Sequence, residues 1–537
     1  MVIGTRKFFN CVIAASVIVT PSALGVASSS GIAGAADASC GIPGSGYGQM
    51  FPRLAGATWT DTSIRALSTS MMAEAETTPT PEGQADPEDN PDIPAGYTYF
   101  GQFVDHDLTL DDRPNDLTTP TPISALKNLR TPQLDLDSVY GTGPSGSPSL
   151  YESDGMHLKV GRALTGSPDV GAVDLPRNAT TGQAIIGDPR NDENRIVAAI
   201  HTLFLRFHNQ IVDRVRAETP RMSATEVFTR ARQRVVFTYQ TIVLQDFLPI
   251  IAGARVTRDV VWRTDRGWQT NLRFYNPCQQ MPVEFSVAAY RYGHSMVRGL
   301  YRINANVDRL SVFSGTYQAG SDLSGFAPAP SNFALNWDLF VPGARNPSVR
   351  AQPSYKIDGS LTHALSLLPL PTTGTGPANL AMRNLLRSKQ LGLPSGQSVA
   401  RAMGVEPLPD SQILVGKATG DASEAQTLVS VSSEFANNAP LWTYILAEAT
   451  AHAYPVRDGK IVGPQRAPYR LGPVGGRIVV ETIVGLLRSD ANSILNRNVA
   501  TDESSLRALV NRVTTPRPAP EPSVRPNPVL RPPAPRR

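Results

Sequence analysis

Apolar residues recur at three- and four-residue intervals along much of the chain. The clearest run begins at Asn194, where Ile196, Val197, Ile200, Leu203, Phe204, Phe207, Ile211 and Val215 mark one face of an amphipathic helix. Asp188, Asn191 and Asp192 stand just before it, in position to satisfy the free N–H groups of its first turn. The same period predicts helices over 225–247, 283–299, 377–390 and 478–496. Strand-like alternation is confined to short runs such as Trp262–Tyr275. The expected fold class is mainly α: one large helical domain with long irregular loops and little β structure.

The ends of the chain read differently. Arg6 and Lys7 precede an apolar stretch from Phe8 to about Val26, the pattern of an export signal. Small residues at Gly25-Val26-Ala27 and at Ala33-Gly34-Ala35 offer two cleavage sites, so residues 1–35 are taken as the leader. Thr20-Pro21-Ser22 interrupts the stretch and argues against a membrane anchor. No later segment reads as long and apolar enough to cross a bilayer. Residues 36–95, rich in Gly, Ala, Thr, Pro and Glu, read as an irregular arm packed on the domain of 96–512, and the Pro/Arg-rich tail of 513–537 as disordered.

A net charge of +4 over 537 residues gives no footprint for nucleic acid. Three cysteines, one of them in the leader, are too few for a disulfide scaffold or a metal knuckle, although export would permit a Cys40–Cys278 bond. Asp37, three residues before Cys40, argues against a lipid anchor. The Gly-rich stretch 141–155 lacks the Lys-Ser/Thr of a phosphate loop.

Three constellations carry candidate chemistry. In Gly101-Gln102-Phe103-Val104-Asp105-His106-Asp107 a histidine is flanked by two aspartates, beside Tyr97, Tyr99 and Phe100, which suits a metal or an acid–base site. Gly187-Asp188-Pro189-Arg190-Asn191-Asp192-Glu193 enters the long helix, and taken alone it is a charged helix start. Tyr290-Arg291-Tyr292-Gly293-His294 lies in an apolar segment, where a lone histidine is as readily structural as functional. His201 and His208 share one helix but lack a third ligand, and His157, His363 and His452 have no partner pattern.

Together and in order, these motifs resemble the animal haem peroxidase (myeloperoxidase-type) superfamily, and the chain reads as a bacterial-style secreted member. The match comprises Gln102 to Asp107, then Arg190 and Glu193, then His201-Thr202-Leu203-Phe204-Leu205-Arg206-Phe207-His208-Asn209, then Arg291 to His294. A further match is Arg383-Asn384-Leu385-Leu386-Arg387-Ser388-Lys389 with Gly392-Leu393-Pro394. It covers about residues 40–512. The resemblance implies haem b, with His294 as the iron ligand, Asn384 on its other ring nitrogen, and Arg291 and Arg387 on the propionates. It implies that His106 is the distal acid–base group, Arg190 the stabiliser of peroxide charge, and Gln102 a halide- and water-binding group. Asp105 and Glu193 match the carboxylates that form ester bonds to haem. The chain departs from the mammalian pattern at Asn194, where a methionine would bond a haem vinyl group, and in its few cysteines. The implied activity is reduction of hydrogen peroxide and oxidation of halides, pseudohalides or aromatic donors through a ferryl intermediate.

The segment Thr131-Pro132-Gln133-Leu134-Asp135-Leu136-Asp137-Ser138 places oxygen atoms at alternating positions, otherwise an acidic turn. The resemblance makes it a Ca²⁺ loop with Thr131, Gln133, Asp135 and Asp137 as ligands and Asp107 as a further one. Two rivals remain: a fatty-acid dioxygenase of the same superfamily, and a secreted, non-catalytic binding protein on a degenerate fold. Dioxygenases carry a radical-forming tyrosine three residues before the proximal histidine, where this chain has Arg291.

Overall fold

The run of apolar positions after Asn194 forms a helix of 24 residues, Arg195–Glu218, and its cap is Asn194 itself. The Asn194 side chain accepts the N–H groups of Ile196 and Val197. Asp188, expected to cap this helix, instead caps the short 3-10 turn Pro189–Asp192 that leads into it. The computed structural model describes residues 46–515 apart from 77, 82, 114–115, 277–280, 316–319 and 370–375. The leader, Cys40, Cys278 and the tail from residue 516 lie outside the described residues.

The helices that frame the interior are α1 (Asp61–Ser70), α2 (Ala95–Leu108), α3 (Arg195–Glu218), α4 (Ala224–Ile242), α5 (Leu380–Gln390), α6 (Leu441–Ala453) and α7 (Pro473–Ser489). The protein is mainly α, and the described strands are short two-stranded pairs. Helix α2 packs on α3, and α3 on α4. At their junction Phe103 stacks on Phe204 at 4.9 Å, with Tyr239 edge-on to both rings. Each such pair adds about 0.5–1.5 kcal/mol beyond the area it buries.

Several elements differ from the periodicity reading. The stretch read as an irregular arm carries α1, which lies against α5, and a strand, β1 (Asp89–Pro94), paired antiparallel with Pro353–Tyr355. Helix α2 was invisible to periodicity because every residue in it except Gln102 is buried, so it has no polar face. Helix α6 escaped for the same reason. Helix α4 continues through a π turn, Val243–Phe247, to Ala252. This run of 29 residues is long and apolar enough for a membrane span, contrary to expectation, but 78% of its apolar window is buried within the protein.

The helix expected over 283–299 is replaced by a π turn, Glu284–Ala288, and a 3-10 turn, Ala289–His294. Side-chain bonds, two long-range and one local, hold this segment. The buried Glu284 carboxylate accepts the backbone N–H groups of Met50 and Phe51, and Arg291 folds back so that Nε donates to the Ser286 carbonyl at 2.7 Å. The helix expected over 478–496 starts earlier and stops at Ser489, followed by a single turn at Ile494–Arg497. The expected strand Trp262–Tyr275 is a hairpin, Val261–Thr264 with Gly267–Thr270. Beyond it the N–H groups of Arg273, Phe274 and Tyr275 donate to the Glu481 carboxylate rather than to a strand.

Candidate active site

Residues 102, 105 and 106 fall on one face of α2 because a helix brings positions three and four apart together. Gln102, Asp105 and His106 all line one cavity of about 570 Å³. Asp107, a further 100° around the helix, points instead to the loop 131–138.

The turn before α3 brings Arg190 to the same cavity. Asp188, fully buried, grips its guanidinium twice, and Arg190 Nη2 also donates to the His106 carbonyl at 3.2 Å. Burial works against ionisation of Asp188, but Arg190 outweighs it and holds the carboxyl well below its ordinary range. His106 is 5% exposed, and burial with the nearby Arg190 charge pulls it down to about 4. It is therefore neutral at pH 7, with one bare ring nitrogen available as a base. Gln102 is tethered next to it: its amide donates to Glu193 at 2.9 Å and its carbonyl accepts from Asn194 at 3.1 Å.

The 3-10 turn ending at His294 forms another part of the wall. Asn384, on α5, meets His294 Nδ1 at 2.7 Å through its amide. The amide can present either its oxygen or its nitrogen to that position. With Oδ1 accepting from Nδ1–H, Nε2 keeps its lone pair. Burial, reinforced by the Arg291 charge and opposed by Asp105, pulls His294 down to about 3. The Trp442 ring lies edge-on at 6.4 Å, and its indole N–H donates to the Arg291 carbonyl at 3.1 Å. Arg291 pairs with Asp105 at 2.9 Å; burial acts to raise Asp105, and Arg291 with Arg190 outweighs it, leaving the carboxyl below its ordinary value. Arg387 lines the cavity from α5 and is held by the Arg113 carbonyl at 2.6 Å and by Asp111 at 3.2 Å.

The cavity walls suit a flat, largely apolar, iron-bearing macrocycle with acidic edges. Val283, Val287, Val297, Leu365 and Leu380 supply apolar surface, while Arg291, Arg383 and Arg387 supply positive charge. A Cβ built on Gly293, next to His294, would meet no atom within 4 Å, so a side chain there would project into the space beside the histidine. The buried hydroxyls of Thr98 and Tyr290, both from cavity-lining residues, have no hydrogen-bond partner among the described residues.

The acidic loop assembles as a cluster. Carboxylate oxygens of Asp107, Asp135 and Asp137 lie within 4.8 Å of one another. Asp107 is completely buried; burial, with Asp137 and Asp135 beside it, raises its carboxyl well above the ordinary value. Leu134 and Leu136 adopt left-handed backbone conformations, φ 51° and 59°, which cost about 1–3 kcal/mol each for such residues. Thr131 Oγ1 donates to Asp135 at 2.7 Å, and Gln133 enters the turn through its backbone N–H to the Thr131 carbonyl. Arg130 and Arg232 supply partial neutralisation, at 3.5 Å from Asp137 and 3.2 Å from Asp135. This all-oxygen, over-acidic donor set fits a hard divalent cation.

Thus His106, Arg190, Gln102, Asp105, Glu193, His294, Asn384, Arg291 and Arg387 all line one cavity. Asp107, Thr131, Asp135 and Asp137 meet in the separate loop. Sequence reasoning missed the grip of Asp188 on Arg190, having read Asp188 as a cap. The i, i+2 spacing of Asp188 and Arg190 was the available signal.

A family model described as animal haem peroxidase matches residues 118–453. The Gln102–Asp107 motif lies just before that span. Mouse thyroid peroxidase is 28% identical over 355 residues, 62% of this chain and 36% of that one. Human eosinophil peroxidase is 25% identical over 294 residues, 54% of this chain and 38% of that one. The match therefore spans little more than a third of these relatives' length. In fold, the chain is similar to peroxidase A from Dictyostelium discoideum, with a TM-score of 0.58 and 17% identity over 88% of this chain and 94% of that one. It is also similar to the fatty acid alpha-dioxygenase of Oryza sativa, with a TM-score of 0.55 and 14% identity over 84% and 76% of the two chains. With its helical architecture and with the model matched over most of its length, the chain belongs to the animal haem peroxidase family.

Proposed function

We propose that this protein is a secreted, haem-dependent peroxidase that reduces hydrogen peroxide and oxidises a halide, pseudohalide or aromatic donor. One observation carries the reading: a neutral histidine beside an arginine (His106 and Arg190) lines the same cavity as a neutral histidine backed by an amide (His294 and Asn384). His294 would hold the iron through Nε2, with Asn384 fixing its ring; Arg291 and Arg387 would meet the propionates, and Asp105 and Glu193 would form the esters. Bound haem supplies the redox centre that takes two oxidising equivalents from peroxide and yields them to the donor. His106 Nε2 accepts the proton of the entering peroxide and returns it to the departing oxygen, which leaves as water. Arg190 offsets the negative charge that builds on that oxygen as the O–O bond lengthens. The position of the dioxygenase tyrosine is held by Arg291, which donates to Asp105 through Nη1 and to Ser286 through Nε, and the arginine there favours the peroxidase reading. Export rests on the Arg6-Lys7 leader.

The test is spectroscopic and kinetic. The purified protein should show a Soret band that His294→Ala abolishes or shifts. His106→Ala should keep haem while slowing the reaction with peroxide by about 10²–10⁴-fold. An unchanged spectrum in the first variant, or an unchanged rate in the second, would remove the corresponding assignment.

A further inference from the structure

Asn191 is fully buried and lies between two buried histidines. Its Oδ1 is 2.9 Å from His106 Nδ1, and its Nδ2 is 3.0 Å from His201 Nδ1. With the first turn of α3 capped by Asn194, the Asn191 side chain is released from the capping role that its position in the sequence suggests. His201, fully buried on α3, has no hydrogen-bond partner for Nε2 among the described residues. The His201–Asn191 bond is thus the hydrogen bond that holds this ring.

We propose that Asn191 is a positioning residue that fixes the tautomer of His106, and that His201 fixes the amide of Asn191. The inference rests on the reading of His106 as the acid–base group. A buried carboxamide can turn over and present either atom to a neighbour, so by itself it does not select a tautomer. Two self-consistent arrangements exist. In one, His106 Nδ1–H donates to Oδ1, and Nδ2–H donates to a bare His201 Nδ1. In the other every donor and acceptor is reversed, and His106 carries its proton on Nε2.

Arg190 decides between them. His106 Nε2 is the nitrogen left to the cavity, which the Arg190 guanidinium also lines. A lone pair is stabilised by that positive charge, whereas an N–H dipole aimed into the same space is not. The first arrangement also leaves the His201 Nε2–H buried without an acceptor among the described residues, so it prevails where the pull of Arg190 on the His106 lone pair exceeds that cost, and it leaves His106 Nε2 bare for an incoming proton. Burial pulls His201 down to about 3, so it stays neutral and is able to accept the Asn191 amide through a bare Nδ1. The three residues come from three elements, α2, the 3-10 turn and α3, so their register holds the distal ring against rotation.

The experiment uses the full-length, haem-loaded protein in its diamagnetic ferrous carbonyl form, labelled with ¹⁵N-histidine. With seven histidines in the chain, the His106 ring signals are assigned by their loss in His106→Ala. Wild type should show His106 as the Nδ1–H tautomer. Asn191→Leu, of similar volume, should convert this to a mixture and slow the peroxide reaction by about 10–100-fold at unchanged haem content, the cost typical of removing the partner that orients a histidine. Asn191→Asp, which retains the acceptor, should restore the single tautomer and most of the rate. If Asn191→Leu does not fold, His201→Phe serves instead, with mixed His106 tautomers expected.

An Nε2–H tautomer in the wild type, or wild-type ring signals in Asn191→Leu or His201→Phe, would overturn the proposal. So would equal losses in Asn191→Leu and Asn191→Asp, which would indicate packing alone. If His106→Ala proves as fast as wild type, the acid–base reading fails, and the ring signals still decide whether Asn191 sets the tautomer.

Discussion

Asp188 and Arg190, two residues apart in one tight turn, form a bidentate pair with Nε–Oδ1 3.1 Å and Nη2–Oδ2 2.7 Å. Asp188 also stands 3.6 Å from Arg130 Nε, and Arg130 reaches Asp137. The arginine of the proposed distal pair is thus tied through two carboxylates and one guanidinium to the acidic loop. A Cβ on Gly187 would collide with the Ser138 carbonyl at 2.6 Å, so backbone contact joins the same two segments.

Asp188→Asn should therefore loosen Arg190 without touching the cavity directly. Removing one partner of so buried a pair costs on the order of 3 kcal/mol of stability. The Asp188 contribution is fully present above the ordinary carboxylate range and is lost as pH falls through its lowered folded value, so the variant should lose stability most at neutral pH. Denaturant melts at pH 7 and in strong acid, with stopped-flow peroxide rates, check this. A variant as stable and as fast as wild type at pH 7 would show that Arg190 does not need Asp188.

Removal of the loop cation is the second prediction. Chelation, or Asp135→Ala with Asp137→Ala, should lower thermal stability and peroxide reactivity together. Without the ion, three clustered carboxylates repel one another, and the route through Arg130 and Asp188 to Arg190 relaxes. Metal analysis should find about one Ca²⁺ per chain. Fully active protein free of calcium would reduce the loop to an acidic turn.

Covalent haem attachment is the third. Asp105 and Glu193 both line the cavity, Asp105 paired with Arg291 and Glu193 with Gln102. After turnover with peroxide, haem should stay with the polypeptide in acidified organic solvent, and Asp105→Asn with Glu193→Gln should release it. Because Asp105 sits below its ordinary value, it is an ionised nucleophile at neutral pH. Free extraction from peroxide-treated wild type counts against both esters.

The fourth prediction concerns Glu448, buried on α6, whose carboxylate accepts the Val474 and Gly475 N–H groups at the start of α7. Burial pushes it up to about 7, so between about pH 4.5 and 7 the folded chain holds a proton that the unfolded chain releases. Its contribution to stability accordingly falls as pH rises through that window, by up to about 3 kcal/mol at and above neutrality. Glu448→Gln retains one acceptor and should flatten the pH dependence of Tm there. A pH–Tm curve parallel to wild type would exclude Glu448 as its source.

The order and chemistry of the motifs determined much by themselves. A 3.6-residue period over 195–218 requires a helix whose apolar face is buried, and in a helix positions 102, 105 and 106 share a face wherever that helix is packed. The residues named for the site, from His106 to Arg387, were legible through the resemblance that their ordered motifs bear to a known family; taken singly, a lone histidine or a charged helix start did not mark them out. Helices α2 and α6 were not, because burial on every side leaves no polar period to read. Only the tertiary structure shows the 3-10 turn at His294, and the Glu284 bonds to Met50 and Phe51 just before it join positions more than 230 residues apart. It also decided that Asn191 meets His106 across 85 positions and His201 across 10. Sequence specifies what each side chain can donate or accept, whereas the packing of separate elements specifies which partner it meets.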